Sequence, residues 1–151
     1  MSEKIGWEQK LANRNYSFET KIDKFIANTE NKIMAVLKDA INEVVEEAQI
    51  PYDKDKGGGG KMHVDTGFLR FSGVSALNKI PSGPSKRDPK KRYIWESDVP
   101  LTLSKMTKDD TFYFGWTANY AKYREAYDGF LESAVQNWQK HINNAVRKLK
   151  K

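Results

Sequence analysis

The sequence predicts an α+β fold, with a long N-terminal helix and a C-terminal helix packed on a small, mostly antiparallel β-sheet. Three observations point there. Apolar residues recur at spacings of three and four between positions 17 and 49, and again from 130 to 149, as in amphipathic helices. Two aromatic, β-favouring runs, 92–96 and 111–116, lie between them. No internal repeat or second boundary interrupts the chain. Residues 17–151 therefore read as one domain behind an N-terminal arm, 1–16.

The arm is polar and irregular, with Trp7 and Tyr16 as isolated anchors, and suits an extended segment or a short helix. The first helical stripe then runs through Ile22, Phe25, Ile26, Thr29, Ile33, Val36, Leu37, Ala40, Ile41, Val44, Val45 and Ala48 before Pro51 stops it. About 30 residues at 1.5 Å each span about 45 Å. Such a helix is longer than usual for a globular domain, so part of its stripe is expected to pack on another chain.

Two loops are expected to be flexible. The first, 51–63, carries four glycines at 57 to 60, which give the backbone maximal freedom. It is not a phosphate-binding loop: Met62 follows Gly60-Lys61 where Ser or Thr is needed, and Asp55 stands where the first glycine belongs. The second, 81–92, opens with Pro81-Ser82-Gly83-Pro84. Between them the alternation over 67–77 predicts a strand. A shorter strand is expected at 101–103, a turn at Lys108-Asp109-Asp110, and a helical turn over 118–126 broken at Asp128-Gly129. The closing helix carries Leu131, Ala134, Val135, Trp138, Ile142, Ala145, Val146 and Leu149. Arg147, Lys148 and Lys150 suit the negative end of its dipole.

At 151 residues the chain can bury roughly 68–70% of its unfolded surface. It has no cysteine, so disulfide and thiolate chemistry are excluded and a reducing cytoplasm is the expected setting. No signal-peptide pattern and no apolar run of roughly 20 residues is present, so no membrane partner is expected. The net charge of +6 permits contact with a polyanion without establishing it. The basic residues concentrate at Lys86, Arg87, Lys90, Lys91 and Arg92 and at the C-terminus.

Chemistry finds little support. His63 and His141 are 78 positions apart, and neither has a partner at metal-ligand spacing; a solvated His63 and a partly buried His141 are expected, with no metal and no cofactor. The one enzymatic idea is Asp65-Thr66-Gly67, the triplet of aspartic proteases, where two aspartates share a proton. Its context is wrong. The triplet follows a glycine-rich loop instead of ending an apolar strand, and strong helices open and close a chain that should be nearly all β. A turn explains it equally well: Asp65 and Thr66 bond locally and Gly67 allows positive φ.

The order of features resembles the tail-completion (minor tail or neck) family of long-tailed bacteriophages. After a long helix and Pro51, Val64-Asp65-Thr66-Gly67-Phe68-Leu69-Arg70 resembles that family's Pro-x-x-Thr-Gly-x-Leu-Arg, with the proline displaced upstream by the glycine-rich loop. Tyr120-Ala121, with Glu125 following, is similar to its Tyr-Ala-x-x-x-Glu segment. Gly129-Phe130-Leu131-Glu132-Ser133-Ala134 is similar to its Pro-Phe-Leu-x-x-Ala entry to the closing helix. The resemblance implies a structural, non-catalytic virion protein. Copies would form a ring, commonly sixfold, at the head-proximal end of the tail, assembled in the host cytoplasm. Neighbours would be adjoining neck, connector or tail-tube proteins, and the basic loop at Lys86, Arg87, Lys90, Lys91 and Arg92 would contact packaged DNA or a partner ring without reading sequence. A free-standing basic nucleic-acid-binding protein is the alternative, with Tyr93 and Trp95 beside the basic run as its stacking residues.

Overall fold

The computed structural model describes residues 2–54 and 58–150, with side chains described from Thr20 onward. By its contacts the chain divides into two units, Met1–Ala35 and Val36–Lys151. Helix α1 (Ser2–Ala48) supplies all the described residues of the first unit and opens the second. Helix therefore takes in the expected arm, residues 2–16 being helical, while the Trp7 and Tyr16 side chains lie outside the described ones. The periodicity ends where Pro51 requires, with Gln49 and Ile50 still bonding back to the last turn.

The second unit continues through α2 (Phe68–Phe71), β1 (Gly73–Leu77), α3 (Val99–Lys105), β2 (Phe112–Trp116), α4 (Ala121–Asp128), α5 (Phe130–Gln136) and α6 (Trp138–Lys150). Helices and a small antiparallel sheet make it α+β, as expected. The sheet has two strands, paired from Gly73 with Trp116 to Leu77 with Phe112. Asn78 closes its far end in the left-handed region, φ 63°, a conformation asparagine tolerates. Its amide N donates to the Thr111 carbonyl at 2.8 Å, and its side chain bonds both Thr111 and Asp110.

Four local expectations are corrected. The run at 67–77 does not start as a strand: 68–71 form one helical turn, because Gly67 adopts φ 88° and its carbonyl accepts the Phe71 N–H. Residues 92–96 form no strand but lie beside that turn, joined through Tyr93 N donating to the Thr66 carbonyl at 2.8 Å. Leu101 and Leu103 lie on α3, where Pro100 in the first turn favours helix. The closing helix is divided at Asn137 into α5 and α6.

The loop at 51–63 is tied at its ends. Pro51 and Met62 form a parallel bridge, Tyr52 N donates to the Met62 carbonyl at 2.7 Å, and Gly60 N to that of Pro51 at 2.9 Å. Asp55, Lys56 and Gly57 lie outside the described residues. The loop at 81–92 is largely exposed but anchored beside β2: Thr117 Oγ1 donates to the Pro84 carbonyl, and Asn119 N to that of Ser85. A buried cluster of Met62, Phe68, Leu69, Ala118 and Phe130 forms the core, flanked by Tyr93, Trp116, Tyr120 and Ala121.

Candidate functional site

The stretch 64–70 lines one side of a cavity of about 470 Å³, completed by Asp53, His63, Arg87, Tyr120 and Arg124. Gly67 is the pivot. A Cβ there would stand 2.3 Å from the Tyr93 carbonyl oxygen, and its φ of 88° is one that other residues rarely adopt. Thr66 Oγ1 accepts from Phe68 N at 3.3 Å, the local turn its residue type favours. Phe68 and Leu69 then point into the core, Phe68 meeting Tyr93 edge-on at 5.0 Å.

Asp65 is held from outside. Its carboxylate accepts from Arg87 at 2.7 Å, and its carbonyl from Arg92 at 2.9 Å. All five basic residues expected to contact DNA or a partner are exposed, and two of them, Arg87 and Arg92, also brace the turn. Arg70 does the same from the other side: its Nε donates to the Gln49 carbonyl at 2.7 Å and its guanidinium lies 5.7 Å from the Trp95 ring centre. Burial lowers its pKa from the usual arginine value.

The second edge of the cavity is polar. The Asp128 carboxylate is almost fully buried between Arg124, at 2.7 and 3.0 Å, and His63 Nδ1, at 2.9 Å. His63 is half-exposed, as expected for a loop histidine, but stacks on Tyr52 at 4.4 Å. Tyr120 lies near Arg87, Asp65 and Arg124; burial, the largest influence, raises its phenol pKa. Asp128 thus pairs with a histidine and an arginine at once. His141, the other histidine, is buried at 7% exposure and bonds Glu47 through Nε2 at 2.9 Å. Among the described residues, no group of three His, Cys, Asp or Glu could hold a metal, and no helix is long and apolar enough to cross a membrane.

The three separated motif segments converge. Phe130 meets Trp116 at 4.8 Å and shares the core with Phe68 and Leu69. Tyr120 and Ala121 flank that core, and Val64 lines the cavity beside Tyr120. Glu125 closes the set: its two oxygens accept from Leu131 N at 2.9 Å and Glu132 N at 3.0 Å, capping α5. Residues the sequence did not single out complete the arrangement. Gln49, 1% exposed, donates to the Arg70 carbonyl and accepts from Trp116 Nε1. Only a polar residue just after a helical stripe hinted at this role. The His63–Asp128 pair, 65 positions apart, left no local signal.

No family model, curated protein or solved structure matches the chain.

Proposed function

We propose that this chain is a structural virion protein of the phage tail-completion (neck) type, a self-assembling ring component at the head-proximal end of a tail. The observation that carries the reading is the convergence of 64–70, Tyr120-Ala121, Glu125 and Phe130 on one core and its caps. Segments with the order of that family serve here as a joint between α1, the sheet and the closing helices. Asp65 has a bracing role that fits the same reading, its carboxylate accepting from the Arg87 guanidinium. The proposed partners are further copies, a hexamer being the expected count, with adjoining neck and tail-tube or connector proteins above and below. Exposed Lys86, Lys90 and Lys91 supply non-specific contact with packaged DNA in the channel.

The aromatic residues of the nucleic-acid alternative are engaged inside the fold. Tyr93 packs on Phe68, and Trp95 Nε1 donates to the Gly73 carbonyl at 3.2 Å. Both side chains are part-buried by these contacts, which limits stacking on single-stranded bases. Negative-stain microscopy of the purified chain mixed with tails lacking their head-proximal ring tests the proposal. Decoration of one tail end supports it; no decoration, with salt-sensitive DNA binding by a monomer, contradicts it.

A further inference from the structure

We propose that residues 20–35 of α1 pack, parallel and in register, against the same segment of other copies of this chain. The inference rests on the self-assembly half of the function proposed above and supplies its contact surface. Apolar positions of α1 recur at a fixed spacing. Ile22, Ile33 and Val44 are eleven apart, as are Ile26, Leu37 and Ala48, Phe25 and Val36, and Thr29 and Ala40. Eleven residues make about three helical turns, so residues eleven apart fall on nearly the same side of an α-helix.

The two ends of that face have different environments. In the second unit Ala40 and Ala48 are buried, and Val44 lines an apolar groove with Phe114, Trp116 and Leu131. In the first unit Phe25 is 70% exposed, Ile33 63%, Ile26 49% and Ile22 41%. Among the described residues that unit contains α1 alone, with no second element of its own to cover the face. Helices of this length owe most of their stability to packing of such a face. Thr29 does not interrupt it, because its hydroxyl donates to the Phe25 carbonyl at 2.8 Å.

Charge at the edges selects the occupant and its direction. At about 100° per residue, Lys21 and Lys32 fall along one edge of the stripe, Asp23 and Glu30 along the other. A parallel, in-register neighbour sets the lysine edge of one copy against the acidic edge of the next. An antiparallel neighbour would set lysines on lysines and acids on acids. The parallel contact is also heterologous when repeated around an axis, the geometry that closes a ring.

Sedimentation velocity on the full chain over a range of concentrations tests this, with near-UV circular dichroism reporting the tryptophan-rich second unit. The wild type self-associates. Phe25→Asp combined with Ile33→Asp weakens association by roughly a hundredfold or more, leaving the near-UV signal unchanged. Lys21→Glu with Lys32→Glu also weakens it, and adding Asp23→Lys with Glu30→Lys restores it. A monomeric wild type overturns both this inference and the ring. An oligomer unmoved by Phe25→Asp and Ile33→Asp overturns this inference alone, the ring then forming through another surface. Tighter association on reversing the lysine edge alone overturns the parallel direction.

Discussion

At Gly67 a single missing side chain lets two segments touch. The glycine's positive φ turns the chain from the loop into α2, and its bare Cα admits the Tyr93 carbonyl. Gly67→Val should therefore destabilise the second unit by roughly 2–4 kcal/mol in urea titration, from strain and clash together. Asp65→Asn should change stability by less than about 1 kcal/mol, because it weakens only an exposed pair with Arg87. A large loss in Asp65→Asn would mean that the aspartate does more than brace the turn. Alkaline pH probes the same region. Burial raises the Tyr120 pKa above its ordinary 10.0, and the hydrogen bonds that Lys148 donates to Glu43 and Asp39 raise its pKa above 10.5. In both cases the folded chain holds a proton that the unfolded chain releases. Their stabilisation is complete below the ordinary values and is lost as pH rises through the raised ones. Urea midpoints should fall between about pH 10 and pH 12, and Tyr120→Phe should remove the tyrosine's share of that fall.

At the scale of elements, the joints between helices come from side chains far apart in sequence. Gln49 ties the end of α1 to α2 and β2, and Gln49→Leu would leave the Trp116 N–H and the Arg70 carbonyl without that partner, costing about 2–4 kcal/mol for the two groups. Glu125→Ala should remove the cap of α5 at a cost of about 1 kcal/mol, and Glu125→Gln should restore part of it. Both are read from urea titrations. The contrast explains which elements were legible. The stripe of α1 and the aromatic, β-favouring run at 111–116 are local patterns, visible in the chain and present in the fold as α1 and β2. The turn at 68–71 was hidden because Phe68, Leu69 and Phe71 satisfy a strand's alternation and a helical turn alike, and the choice rests on Gly67. The 92–96 run has strand-like composition, but it lies along a helical turn that offers no ladder. The roles of Arg87, Arg92 and Glu125 depend on partners elsewhere in the chain and could be expected only through the motif order.

On the scale of the whole molecule, the chain joins a unit with its own core to a helix whose apolar face is uncovered over residues 22–33. The cavity beside 64–70 is lined by groups already engaged with one another, and the motif residues build the fold around it. That distribution of surfaces suits a protein whose task is to be assembled. The most direct test is mass photometry of the purified chain, in low and high salt, with negative-stain images of the same sample. The account predicts closed rings of one subunit count that persist at high salt, since apolar contact holds them together. A monomer at every concentration and salt, with or without bound DNA, would contradict it.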